Sequence, residues 1–130
     1  MYLLDTNICI ELLAGDSRVV EQMASLKRVR VYASAITFGE LAYGAMRSAR
    51  PEYEIAQVKR LMHHVVMLPV DLRASLEYGT LKSQLGSRGE LLEDNDLFIA
   101  AAALSRGLTL VTHDRAFARV PNLNIEDWLG

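Results

Sequence analysis

Apolar residues along this chain fall either in short continuous runs or at spacings of three and four. The two patterns alternate from one end to the other, marking strands and helices in turn. Tyr2 to Leu4 is a short buried strand that ends at Asp5, and Ile8, Ile10, Leu12 and Leu13 predict a short helix capped by Thr6 or Asn7. Val19, Met23 and Leu26 mark a second amphipathic helix beyond Gly15. "VRVYASA" has the β-branched and aromatic character of a second strand, and Phe38, Leu41, Ala42 and Ala45 place a helix from about Thr37 to Arg47. Pro51 opens another helix with Ile55, Val58, Met62 and Val65 on one side, and "VVMLPV" follows as a strand. Asp71 caps a long helix with Ala74, Tyr78, Leu81 and Leu85 on its inner face, which "GSRGE" ends as a loop. "DNDLFIAAAALSRG" has an acidic start, a long apolar run and a closing glycine, so it predicts a mostly buried helix. "LTLVT" is a compact strand, and "HDRAF" begins a last short helix or turn. Strands separated by helices imply an α/β fold with a central parallel sheet covered on both faces. No repeat, low-complexity stretch or linker divides the chain, so residues 1–130 are expected to form a single domain.

Composition adds mainly exclusions. Of the 130 residues, 51% are apolar and 23% charged, which suits a soluble globular protein rather than a disordered or fibrous one. No signal-peptide pattern or membrane-length apolar run is present, so the expectation is a cytoplasmic protein with no membrane association. Cys9 is the single cysteine and is expected to be a small buried apolar residue. The formal net charge of −2 argues against nucleic-acid binding through bulk positive charge, until the distribution of the acids is considered. If five of the 16 acids lie in one pocket, the remaining 11 face 14 basic residues and the rest of the surface is mildly basic.

Those five are Asp5, Glu40, Asp94, Asp96 and Asp114. In a parallel α/β sheet, sites gather beyond the carboxyl ends of the strands, where loops run into helix starts. Asp5 and Asp114 follow strands, while Glu40, Asp94 and Asp96 lie in the first turns of helices. Each has a structural explanation of its own. Thr37 and Glu40 have the T-x-x-E spacing of a capping box, and Asp94, Asp96 and Asp114 suit helix beginnings. Asp5 resists such an account, because a carboxylate at the end of a buried strand loses hydration without gaining partners. Four separate explanations at one rim are less economical than one site. Crowded carboxylates repel unless a cation neutralises them, and oxygen ligands without clustered cysteine or histidine select Mg2+ or Mn2+.

The stretches "YLLDTNI", "ITFGELAYG", "DNDLFIAAAALSRGLTLVTHD" and "FARVPNLNIEDW", in that order, give the chain a resemblance to the PIN-domain ribonucleases. It is most similar to the VapC-type toxins of bacterial and archaeal toxin–antitoxin pairs. The resemblance covers essentially the whole chain and implies a three-layer α/β/α sandwich whose acidic cluster holds Mg2+ or Mn2+ to cut RNA. Matched position by position, it implies catalytic, metal-binding roles for Asp5, Glu40, Asp96 and Asp114. Relatives often have asparagine where this chain has Asp114. Asp94 departs from the pattern; it either joins the metal site or caps its helix, and about 200° of helical rotation separates it from Asp96. Thr6 and Thr112 resemble hydroxyl residues that orient the acids. The resemblance further implies a small VapB-like antitoxin that blocks the pocket, and homodimers formed through apolar helix faces, for which the sequence offers Tyr43 and Met46.

For the RNA phosphates, Arg47 is the first candidate, lying two helical turns after Glu40 on the same face, followed by Arg50 and Arg115. His63 and His64 lack metal-like spacing and are expected at the surface. Two other functions compete. An aspartate-based phosphatase or phosphotransferase of the haloacid dehalogenase type needs a second aspartate two residues after the first, and Asn7 stands there. A catalytically silent binding module that keeps the acids is the other.

Overall fold

A computed structural model describes all residues, 1–130. Five strands form one parallel sheet: β1 (Tyr2–Leu4), β2 (Val31–Ser34), β3 (Val66–Leu68), β4 (Thr109–Val111) and β5 (Ile125–Glu126). Six helices connect them: α1 (Thr6–Ala14), α2 (Ser17–Ser25), α3 (Ala35–Met46), α4 (Pro51–Arg60), α5 (Leu72–Ser87) and α6 (Asp94–Arg106). The spatial order is β3-β2-β1-β4-β5, so the chain builds outward from β1 on one side and then returns to build on the other. That reversal beside β1 leaves a crevice at the carboxyl edge, the usual ligand site of such sheets. No helix is long and apolar enough to cross a membrane.

Side chains alternate across each strand, so neighbouring residues supply different cores. Leu3 and Leu110 pack with α5 and α6 in one core, and Leu4 and Val111 pack with Ile8, Cys9, Leu12 and Trp128 in the other. Each fully buried leucine contributes about 1.5–3 kcal/mol by leaving water, and these two cores clamp the sheet between helical layers. The expected α/β/α sandwich is therefore the fold. Ala100, Ala101, Ala102 and Ala103 are buried, and their small side chains let α6 lie close against its surroundings. Gly107 ends α6 in the left-handed conformation, φ 63°, with its N–H satisfying carbonyls of the last turn.

Local boundaries differ from the sequence expectation where a polar side chain outranks an apolar pattern. Asp5, not Thr6 or Asn7, caps α1 by accepting from the Thr6 N–H. Ser34 caps α3, whose helix starts two residues before Thr37, so the Thr37–Glu40 capping box does not form. Asp71 caps α5 as expected, accepting from the Ala74 N–H. After Arg60 the chain tightens into a 3-10 turn, which buries Leu61 and Val65 and leaves Met62 half exposed. Strand β5 has only two residues, both exposed, and carries no apolar run to announce it.

Candidate functional site

Register determines what lies at the crevice. Leu4 pairs with Ala33 on one side and Val111 on the other, so the next residues, Asp5, Ser34 and Thr112, reach the carboxyl edge together. The Asp5 N–H donates to the Val111 carbonyl (2.9 Å), which extends the ladder to the acid itself. Asp5 is only 5% exposed. Its two oxygens have separate partners: Oδ1 accepts from the Thr6 N–H (2.8 Å) and Oδ2 from the Thr112 hydroxyl (2.8 Å). Burial nevertheless raises its pKa, with Glu40 and Asp114 adding repulsion against those two hydrogen bonds.

Thr112 joins two acids. While donating to Asp5 it accepts from the Asp114 N–H (3.0 Å), and Asp114 in turn caps the following 3-10 turn by accepting from the Ala116 N–H (2.9 Å). Across the crevice, the Thr6 hydroxyl donates to Glu40 Oε1 (2.6 Å) and lies 3.0 Å from the Thr37 hydroxyl. A hydroxyl has one proton, and that of Thr6 goes to Glu40, so Thr37 is the donor in the second contact. Thr37 is fully buried and was not among the residues expected here. Its signal was the T-x-x-E spacing, which pairs Thr37 with Glu40 through Thr6 rather than through the backbone.

Asp96 comes from the first turn of α6 and has no hydrogen bond to offset its surroundings. Burial first, then repulsion from Asp5, Glu40, Asp114 and Glu93, pushes its carboxyl up to about 6. Neither Asp5 nor Asp96 has a cation among the groups that shift it. Asp5, Glu40, Asp96 and Asp114, from four separated segments, thus meet at one rim as uncompensated negative charge.

The other candidates fall elsewhere. Asp94 is exposed on the far side of its helix turn, accepting from the Tyr78 hydroxyl (2.8 Å) and from Lys82 Nζ (2.8 Å), which hold its pKa down. It neither joins the cluster nor caps α6, whose N-cap residue is Glu93. Arg47 donates to the Tyr43 hydroxyl (3.2 Å), Arg50 lies 4.4 Å from the Tyr53 ring centroid, and Arg115 is exposed beside Asp114. A cavity of about 620 Å3 between Met46 and Ile55 includes Arg50 but none of the four acids. His113 bonds Asp127 through Nδ1 (2.8 Å).

The donor set fits a hard divalent cation. It is all oxygen and negative, and repulsion from Glu40 and Asp114 helps to raise the pKa of Asp5 and Asp96, a penalty that a dication would relieve. No three of these acids are grouped closely enough to hold a metal ion by themselves. An open rim of this kind suits Mg2+ or Mn2+; Mg2+ in particular usually keeps several waters and takes only one or two carboxylates directly.

The family model for the PIN domain matches residues 2–123. The chain is 35% identical to the tRNA(fMet)-specific endonuclease VapC of Salmonella typhimurium, over 98% of this chain and 97% of the relative. It is 34% identical to ribonuclease VapC2 of Haemophilus influenzae, over 98% of both. Its structure matches VapBC2 of Rickettsia felis bound to promoter DNA with a TM-score of 0.92 at 29% identity, over 98% of both chains. DNA-bound VapBC of Salmonella typhimurium also gives 0.92, at 35% identity, covering 98% of this chain and 97% of the other. With its parallel sheet and full-length kinship, the chain belongs to the PIN-domain family and, within it, to the VapC ribonucleases.

Proposed function

We propose that this chain is a Mg2+- or Mn2+-dependent endoribonuclease that acts as the toxin of a toxin–antitoxin pair. The observation that carries this reading is the rim where Asp5, Glu40, Asp96 and Asp114 meet with no cation among them. Asp5 and Asp96 would hold the ion, with Glu40 and Asp114 adding negative charge beside it. When bound, the ion supplies Lewis acidity, offsetting phosphate charge and acidifying the attacking water. Thr112 and Thr6 keep the acids aimed, since each fixes one carboxylate oxygen. Asp96, with its pKa near 6, is mostly ionised at neutral pH and adds the charge that a dication relieves. Arg47, Arg50 and Arg115 have no acidic partner and are free to meet RNA phosphates.

The phosphatase reading loses ground because Asn7 is exposed on α1 and brings no second aspartate beside Asp5. A silent binding module would keep the acids yet leave every RNA intact. The deciding experiment incubates RNA with the wild type, Asp5→Asn and Asp96→Asn, in Mg2+, Mn2+ and EDTA. Initiator tRNA, named for the Salmonella relative, is the first substrate to try. Cleavage is expected only for the wild type with metal; undiminished activity in EDTA or in either variant overturns the reading. The neighbouring VapBC complexes support pairing with a small antitoxin and a homodimeric toxin, to be read by co-purification with the product of the adjoining gene.

A further inference from the structure

We infer that Tyr43 is a stacking platform for one base of the RNA, and that Asn95 meets the edge of that base. The inference rests on the ribonuclease reading and adds to it a place for a nucleotide next to the cut.

A cleft of about 480 Å3 is lined by Ala35, Ile36, Gly39, Glu40, Tyr43 and Asn95. It runs from α3 to the first turn of α6, and both ends adjoin the acids: Glu40 lines it, and Asn95 precedes Asp96. Tyr43 lies one helical turn beyond Glu40, on the same side of α3. Tyr43, which the sequence also offers for a homodimer face, is 65% exposed on the single chain. Arg47 donates to its hydroxyl, and the guanidinium carbon lies 5.7 Å from the ring centroid. The aromatic ring is therefore steadied and accompanied by a cation that no carboxylate neutralises. Single-stranded RNA is held by this combination, bases stacking on aromatic rings while cations meet the backbone. Asn95 is exposed and offers both donors and an acceptor to a base edge.

Gly39 lines the same cleft. It lies inside α3, where glycine is a poor helix former, and a Cβ there would meet nothing within 4 Å beyond its chain neighbours and the backbone of its own helix, as is also true of Gly44 in the same helix. Packing within the protein does not require it, and the space it leaves is part of the cleft. The apolar groove of the molecule, with Ile10, Leu13, Leu41 and Val58, lies on the other side of Glu40. An RNA base, with its apolar faces and polar edges, suits the cleft of Tyr43, where apolar and polar residues line the walls in equal number.

The test uses an RNA that the wild type cuts, together with versions lacking a single base at each position flanking the cut. Tyr43→Ala is expected to raise KM roughly tenfold with kcat little changed, and Tyr43→Trp to restore it. Removing one particular base should raise the wild-type KM by a similar factor and add nothing further in Tyr43→Ala. Gly39→Ala should raise the melting temperature and still raise KM. The inference is overturned if Tyr43→Ala keeps the wild-type KM, if base removal and Tyr43→Ala act independently at every position, if Gly39→Ala leaves KM unchanged, or if Tyr43→Ala weakens only capture by an antitoxin. A wild type that cuts no RNA under any metal overturns the ribonuclease reading as well, and so is distinguishable from these.

Discussion

Asp16, Asp71 and Asp94 stand at the beginnings of helices, and so do Asp5 and Asp96. The first three each have a cation: Arg18 at 2.8 Å, Arg106 at 3.0 Å and Lys82 at 2.8 Å. Their carboxyls are held below the usual range. The Arg18 side chain is the main cause for Asp16, brought to about 2, the Ala74 N–H for Asp71, and Lys82 for Asp94. Asp5 and Asp96 are shifted the other way, by burial first and then by repulsion from Glu40 and Asp114, with Asp5 acting on Asp96 as well. Capping therefore does not distinguish the two groups, because Asp5 caps α1 as properly as Asp16 caps α2. What separates them is the missing counter-charge. A fold that supplies cations to three surface aspartates withholds one from its most buried acid, and that withholding marks the site.

The contrast is broken most sharply by substitution at the rim. Asp5→Asn and Asp96→Asn are expected to lower metal-dependent RNA cleavage by at least about a hundredfold, with circular dichroism confirming that each variant is folded. Thr112→Val comes next, since it removes the donor to a buried carboxylate. A loss of about 10–100-fold in Mn2+ affinity is expected by calorimetry, with destabilisation of about 1–3 kcal/mol.

A subtler effect concerns pH in the absence of metal. The folded protein holds the Asp96 proton up to about pH 6, against 3.8 for the ordinary group. Its contribution to stability is therefore complete below about pH 4 and is lost as pH rises through 6. The loss at neutral pH is on the order of 1–2 kcal/mol once solvent screening of this half-buried group is allowed for. Urea midpoints in EDTA at pH 4.5 and 7.5 should show Asp96→Asn gaining on the wild type at the higher pH. The smallest effect is expected for Asp94→Asn, which should leave cleavage unchanged and stability near the wild type, because an exposed ion pair contributes little. A large loss of cleavage in Asp94→Asn would erase the distinction between the two groups.

Much of this was legible in the sequence because burial leaves a strong signature. Strands β1, β2 and β4 and the helix from Asp94 to Arg106 follow directly from apolar runs, and strand ends point to where Asp5 and Asp114 belong. What stayed hidden depends on rotation and on distant partners. Asp94 and Asp96 are two residues apart, yet only packing against α5 shows that Asp94 turns toward Tyr78 and Lys82. Thr37 looks like a helix cap until Thr6 is brought across to it from another element. Strand β5 escapes notice because its backbone bonds to β4, not its side chains, place it in the sheet.

The Asp5 carboxylate is anchored by Thr112, and β1 is closed on its second side only by β4. The acid and its anchor are 107 residues apart in sequence, so Asp5 gains this partner only when distant segments of the domain have folded together. A chain without β4 thus leaves the Asp5 carboxylate without its Thr112 donor. Removing the residues from β4 onward is therefore expected to disarm the rim even though Asp5, Glu40 and Asp96 all remain.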